Sequence, residues 1–373
     1  MKDETGAVSA IVAIFVSSLL LFGSLALAVD SGVMHLERRT VVNAAQSTAL
    51  ALAKQCVDTP NNCAASPAIS NLVNANSPDG LTSITELCIS GKNSFGQPCQ
   101  GLTTNSLDCA AIPAQVKSFV RVRTESQSSE SGVGVRTYFS SETAQSLRAC
   151  AQARWGNAGS AQVFSPFAVS ICEWAKQQSL PRTLLEFKSS DGVSSCTYSF
   201  TDLANQSFTK SGINGWAAVD LQSSSLPTAA RASTVCPNPT TDQPATLRIG
   251  YQLNQITRDQ SSSNYCGDSD LLTKIVNWLN ITLYIPLVST EKISGGSTIH
   301  TVEAFAAFKL LGFSLLKGNG SAQSVGGIVP TGNWCQKNTN CIYGEFISTI
   351  SPNSDVTDTP GVPSVGLQAI KLF

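Results

Sequence analysis

The residues of this sequence best able to do chemistry are its twelve cysteines, all of which lie after residue 55. They are Cys56, Cys63, Cys88, Cys99, Cys109, Cys150, Cys172, Cys196, Cys236, Cys266, Cys335 and Cys341. The even number and this distribution predict a disulfide-bonded region in an oxidising compartment. Metal ligation is the alternative, but the sequence has no Cys-x-x-Cys pair, and its two histidines are isolated. We therefore expect no metal and no cofactor. Spacing favours short loops closed by Cys56 with Cys63 and by Cys335 with Cys341, and leaves the other pairings open.

Catalytic motifs are missing from the sequence. It contains no Gly-x-Ser-x-Gly, no phosphate-binding glycine loop and no His-Glu-x-x-His. His300 lies in an alternating strand pattern, which favours a packed histidine over a general base. The spacing of Asp259, Ser261 and Ser263 resembles a cation-binding loop, although such a site needs further oxygen ligands. We expect no catalytic residue and no enzyme activity, with an anchored hydrolase as the remaining enzymatic alternative.

Composition narrows the class of protein further. The 373 residues are 42% hydrophobic and only 13% charged, and 24 basic side chains nearly balance 25 acidic ones. A low charged fraction is typical of exported, strand-rich proteins. Because no basic stripe interleaved with aromatic residues is present, we expect no nucleic-acid partner. We also expect no small-molecule substrate.

The strongest local feature is an uncharged apolar segment at residues 7–29. It exceeds the roughly 20 residues that a helix needs to cross a bilayer. A cleaved signal peptide has a shorter apolar run after a basic start, whereas here Lys2 is followed by Asp3 and Glu4. Cleavage after Ala26-Leu27-Ala28 is the alternative. We predict a single transmembrane helix that anchors the rest of the chain in the lipid bilayer.

The orientation of this helix follows from the cysteines. Arg38 and Arg39 after the segment outnumber Lys2 before it, which by the basic-residue rule alone would place the bulk of the chain inside. Twelve cysteines favour the opposite side. The sequence thus predicts a cell-membrane protein with a cytoplasmic tail at residues 1–6 and an extracytoplasmic bulk.

Residues 30–54 contain no proline and carry apolar or small residues at helical spacing, among them Val33, Leu36, Val41, Ala44, Thr48 and Leu52. We predict an amphipathic helical stalk that continues the membrane helix. Its alanine-rich face has two possible partners, other helices or the chain's own globular region.

The remainder predicts an α+β fold, with a mainly β, disulfide-rich extracytoplasmic region after the long N-terminal helix. Residues 55–114 form a cysteine-rich, loop-rich lobe, and residues 115–373 form the mainly β region. Strands are predicted at 116–123, 133–139, 183–187, 196–200, 247–256, 281–288, 299–315 and 342–350, and helices at 142–155 and 271–279. Within 299–311, apolar residues alternate with Thr301, Glu303 and Lys309, which predicts a half-buried strand.

Several N-terminal motifs together resemble a known segment. The first motif is Gly-Ala-Val, which begins at Gly6. The second is Ala-Leu-Ala-Val-Asp-Ser-Gly at residues 26–32, which contains Asp30 and Gly32. The third is Glu-Arg-Arg at residues 37–39, which contains Arg38 and is followed by Asn43. With the apolar span between them, they resemble the Tad segment of TadE/TadG-like proteins of the tight-adherence (Flp-type) pilus system. Residues 165–169 with Cys172, the strand at 304–313 and residues 341–346 are similar to TadG-related pilus-assembly proteins.

The resemblance implies a minor pilin-like or assembly role. It also implies that the N-terminal helix packs among other pilin-like or Tad assembly proteins, with the N-terminus inside. Pilin processing normally places glutamate fifth after the cut glycine, whereas Ile11 is fifth after Gly6. We therefore expect a structural component of a bacterial Tad-type pilus or its envelope machinery. The alternative is a membrane-anchored adhesin or ligand-binding module with no pilus role.

Overall fold

The chain folds as one very long helix followed by a mainly β region. The computed structural model describes residues 5–59, 63, 67–77, 82–93, 96–105, 109–114, 116–126, 146–186, 195–201, 206–256, 266, 274–292, 298–317, 321–325, 335, 340–347, 349–351, 354–357 and 367–372. The predicted α+β class, with an apolar N-terminal helix and a mainly β region, is confirmed. The chain divides into two compact units, Met1–Arg154 with Lys371–Phe373, and Trp155–Ile370. The predicted lobe at residues 55–114 lies within the first unit.

The described residues of the first unit form two helices and a small antiparallel sheet. The helices are α1 (Thr5–Asp58) and α2 (Pro67–Ala75), and the strands are β1 (Thr82–Ile89), β2 (Lys92–Asn93), β3 (Phe119–Ser126) and β4 (Arg148–Asn157). β3 pairs with β1 on one side and with β4 on the other, and β2 completes a hairpin with β1. The boundary between the two units falls within β4.

The second half of α1 packs on this sheet. Its buried side chains recur at helical spacing and are Val41, Ala44, Ala45, Thr48, Ala49, Leu52, Ala53 and Cys56. Because most of these side chains are small, the helix backbone approaches β3 closely, and the Thr124 hydroxyl donates a 3.0 Å hydrogen bond to the Val41 carbonyl. Of the two partners predicted for the alanine-rich face, the structure shows the chain's own globular region. Leu36, predicted on the same face, is 66% exposed.

The predicted helix at residues 142–155 is wrong over its second part, where the chain forms β4. Residues 142–145 lie outside the described residues. Alanine, arginine and glutamine favour helix in isolation, but Ala149, Ala151 and Ala153 alternate along a strand and are buried. β4 pairs with β3 in continuous register, so sheet pairing outweighs local preference here.

The second unit is built around a large sheet. The strands that follow β4 are β5 (Ser160–Val163), β6 (Phe167–Ser170), β7 (Thr183–Glu186), β8 (Ser195–Thr201), β9 (Ser207–Ile213), β10 (Trp216–Ala218), β11 (Ala245–Arg248), β12 (Gln252–Asn254), β13 (Thr282–Lys292), β14 (Thr298–Lys317), β15 (Ser321–Val325), β16 (Cys341–Ile347), β17 (Ile350–Ser351) and β18 (Gln368–Leu372). β17 and β18 pair in parallel outside the large sheet, and the last two residues of β18 belong to the first unit. A short helix, α3 (Ile171–Gln177), follows β6. The main sheet runs β10-β6-β13-β14-β16-β7, and β12 and β15 also pair with β14. β5 with β11 and β8 with β9 form two-stranded ribbons.

Most strands predicted in this unit appear with shifted ends. The predicted strand at 247–256 is divided into β11 and β12, because the chain turns at Gly250, whose φ is +85°. Val276–Trp278 forms a short 3-10 helix within the predicted helix at 271–279, whose first three residues lie outside the described part. The predicted strand at 133–139 also lies outside it.

β14 is buried on both faces, which corrects the prediction of a half-buried strand. Leu287 pairs with Ala304 but Val288 pairs with Val302, so Glu303 is an extra residue in a β-bulge. Beyond the bulge, Ala304, Ala306, Phe308 and Leu310 belong to one hydrophobic cluster, and Phe305 and Ala307 belong to another. Glu303 is only 7% exposed, and its carboxylate accepts a hydrogen bond from the Ser289 hydroxyl and pairs with the Lys210 ammonium group at 2.9 Å. The predicted alternation holds beyond the bulge, but Val302 lies in the same cluster as Phe305 and Ala307, and this second cluster covers the face expected to meet solvent.

Candidate functional site

The first part of α1 is a helix whose apolar side chains are exposed on every side. The successive residues Leu19, Leu20, Leu21 and Phe22 are 69–78% exposed, and together they cover the whole circumference. A helix that is apolar all round requires either a protein core or a membrane around it. The most apolar 18-residue stretch of α1 is not buried within the chain, and α1 is long and apolar enough to cross a membrane.

Three serines in this part of the helix bond to the helix itself. The hydroxyls of Ser17, Ser18 and Ser24 each donate to the carbonyl three residues earlier, at 3.0, 2.9 and 2.9 Å. In hydrocarbon an unsatisfied hydroxyl is costly, and such back-bonding removes that cost. The serines are thus compatible with lipid on all sides.

The length of α1 exceeds the bilayer more than twofold. Its 54 residues extend about 80 Å at 1.5 Å per residue, against a hydrocarbon core of roughly 30 Å. Residues 7–29 by themselves extend about 35 Å. The exposed apolar part and the part that packs within the first unit are consecutive segments of one continuous helix.

The residues of the N-terminal motif all lie on α1. The Gly6 backbone is helical, and Asp30, Gly32, Arg38 and Asn43 follow along the same helix. Asp30 is only 8% exposed and takes part in a polar interaction, whereas Gly32, Arg38 and Asn43 are exposed. A Cβ atom at Gly32 would meet nothing within 4 Å, so neither backbone conformation nor packing requires glycine there.

The twelve cysteines form six disulfides, three in each unit. The pairs are Cys56–Cys63, Cys88–Cys99, Cys109–Cys150, Cys172–Cys196, Cys236–Cys266 and Cys335–Cys341. Both short loops favoured by spacing are among them. Within the described part of the chain, no three His, Cys, Asp or Glu residues are grouped so that they could hold a metal ion. Asp259, Ser261 and Ser263 lie outside that part.

One side of the β1–β3 sheet carries a buried charge cluster that the sequence did not indicate. The Arg121 side chain is fully buried, and its guanidinium donates to Glu86 and to the carbonyl oxygens of Gln100 and Gly101. Arg123 pairs with the other Glu86 oxygen at 3.1 Å. The only sequence signal was two arginines at alternate positions of a predicted strand, which could equally have marked a solvent face.

His300 is fully buried on β14 and does not have the surroundings of a general base. Its Nδ1 lies 3.1 Å from the Thr290 hydroxyl on β13, and among the described residues its Nε2 has no hydrogen-bond partner. Burial lowers the pKa of His300 from 6.5 to about 4, because the charged imidazolium would lose its hydration. The ring is therefore neutral in the folded chain at neutral pH.

This lowered pKa predicts an acid-sensitive second unit. Between the folded pKa of about 4 and the unfolded value of 6.5, the unfolded chain binds the extra proton, so acid favours unfolding. We expect His300 to contribute about 3 kcal/mol to the fall in unfolding free energy between pH 7 and pH 4. The measurement is denaturant unfolding of the full chain in detergent, followed by the fluorescence of the buried Trp216 and Trp278.

His300→Gln should remove that contribution, and His35→Gln, at the other histidine, should retain it. Comparing the two variants cancels the titration of carboxylates, which they share. An unchanged pH dependence in His300→Gln would contradict the assignment.

Comparison with protein-family models, with curated proteins and with solved structures finds no match to this chain. The assignment of a function therefore depends on the features of the helix, the disulfides and the N-terminal motif.

Proposed function

We propose that this chain is a minor pilin-like or assembly component of a bacterial Tad-type pilus or its envelope machinery, anchored in the cell membrane by α1. The observation that carries the proposal is the exposed apolar half of α1, continuous with a half that is built into a disulfide-bonded unit. A membrane supplies the apolar surroundings that the chain itself does not supply. The N-terminal motif supports the pilus role.

The disulfides support an extracytoplasmic location for both units. Six disulfides within one chain require an oxidising compartment, which for a bacterial protein lies outside the cytoplasmic membrane. The short tail before residue 7 then remains in the cytoplasm. The chain is proposed to act as a structural component and not as an enzyme.

The packing of α1 limits where partner helices could bind. Val41, Ala45 and Ala49 are buried against the chain's own first unit, so this face is closed to other proteins. Packing among other pilin-like helices is therefore proposed for residues 9–29, whose side chains are exposed apart from Ser18 and Ala26, which are partly buried.

Deletion of the gene in its own bacterium tests this proposal. We expect fewer pili by electron microscopy, restored by the intact chain, together with co-purification of the chain with pilus assembly proteins. Normal piliation in the deletion strain would contradict the pilus role. If attachment to surfaces were lost while pili remained, the adhesin alternative would be favoured.

A further inference from the structure

Three basic residues follow the apolar part of α1 and share one side of the helix. His35, Arg38 and Arg39 are spaced i, i+3 and i+4, and all three are exposed. Among the described residues, none forms a hydrogen bond or ion pair with either arginine. Both guanidinium groups are therefore available to a partner outside the chain.

The acidic residues of the same stretch have a different position. Asp30 and Glu37 are seven residues apart, and Glu37 is seven residues before the buried Ala44, so all three lie along one face of the helix. Both acids are at least partly buried, and both take part in polar interactions. The two acids are thus less exposed than the arginines, which lie on another side of the helix.

The height of the arginines above the apolar segment matches the headgroup layer. Arg38 lies eight residues after Asp30, or about 12 Å along the helix. Helical side chains tilt toward the N-terminus, so an arginine here carries its charge roughly 6 Å back toward the bilayer. That places it near the outer edge of a headgroup layer about 5–7 Å thick. Leu36, 66% exposed in the same turn, is suited to the interfacial zone.

We propose that Arg38 and Arg39 bind the phosphate groups of anionic phospholipids in the leaflet that faces the disulfide-bonded units. One guanidinium group can donate two parallel hydrogen bonds to two oxygens of a phosphate group. A basic residue at an anionic membrane surface raises the affinity for that surface about five-fold. The contact would fix the position of α1 along the bilayer normal, at the point where the helix leaves the membrane. This inference rests on the proposed membrane anchoring.

Lipid selectivity of the full chain reconstituted in mixed vesicles tests the inference. Spin-labelled phosphatidylglycerol and phosphatidylcholine report the relative association of each lipid with the protein, and flotation of the same vesicles reports anchoring. We expect wild type to prefer phosphatidylglycerol, with about a five-fold loss for each arginine replaced in Arg38→Gln and Arg39→Gln. Arg38→Lys with Arg39→Lys should keep most of the preference, because it keeps the charge. Lys54→Gln removes an equal charge further along α1 and should change nothing.

The outcomes separate this inference from the anchoring on which it rests. A chain that floats with vesicles but shows no preference for phosphatidylglycerol overturns the lipid contact alone, and would leave the arginines to an acidic protein partner. A preference that survives in the double glutamine variant also overturns it. A chain that does not float overturns both the anchoring and the contact.

Discussion

Replacing Leu19 and Leu20 by arginine is expected to release the chain from the membrane. Both side chains are exposed near the middle of residues 7–29, where an arginine costs about 3 kcal/mol on insertion scales. Two arginines therefore cost about 6 kcal/mol, or roughly four orders of magnitude in the insertion equilibrium. The measurement is the fraction of chain that stays with membranes after alkaline carbonate extraction.

The matched control places the same two charges further along α1. Asn43 and Gln46 are exposed beyond the apolar segment, so Asn43→Arg with Gln46→Arg should leave extraction unchanged. Equal retention of the Leu19→Arg, Leu20→Arg variant and wild type would mean that α1 does not hold the chain in the bilayer. In the deletion strain, the released variant should also fail to restore pili.

Replacing Arg121 by methionine is expected to destabilise the first unit by about 3–5 kcal/mol. Methionine fills much of the same volume, but it removes every hydrogen bond that the guanidinium donates to Glu86, Gln100 and Gly101. It leaves one oxygen of the partly buried Glu86 carboxylate and two loop carbonyls without their donor, while Arg123 still pairs with the other Glu86 oxygen. The measurement is amide hydrogen exchange of β1 and β3 in the full chain in detergent.

Arg123→Met is the control for that variant. Arg123 is 31% exposed and pairs with the same glutamate, so its loss should cost about 1 kcal/mol or less. The double variant Arg121→Met with Glu86→Leu should recover part of the stability, because it removes the partly buried carboxylate oxygen that Arg121→Met leaves without a donor, although Arg123 then loses its partner. If Arg121→Met and Arg123→Met were equally mild, the buried cluster would not stabilise the unit.

Much of this fold could be predicted from short-range patterns. The apolar segment, the continuation of its helix and most strands of the second unit follow from spacings within a few residues. β4 was missed because Ala149, Gln152 and Arg154 favour helix locally, and only their pairing with β3 makes them a strand. Glu303 was placed on a solvent face because the sequence shows neither the β-bulge nor the Ser289 hydroxyl and the Lys210 ammonium group that its carboxylate contacts.

Some features of the candidate site could likewise be predicted from local sequence, and others could not. A transmembrane helix is recognisable because hydrocarbon imposes one local requirement, an uninterrupted apolar run of sufficient length, and residues 7–29 meet it. The partner of the alanine-rich face could not be predicted, because amphipathicity gives the buried side of a helix and not what covers it. Sequence spacing likewise suggested two short disulfide loops and left four pairings open.

By itself, the sequence determined the apolar segment, the balance of charge and the expectation of disulfides, since each depends on residue type and local spacing. Only the tertiary structure shows that α1 packs on β3 and that Arg121 donates hydrogen bonds to Glu86 and to two loop carbonyls. The tertiary structure also buried His300. The physical reason is that burial and pairing depend on contacts between residues distant in sequence, and no local sequence pattern specifies those contacts.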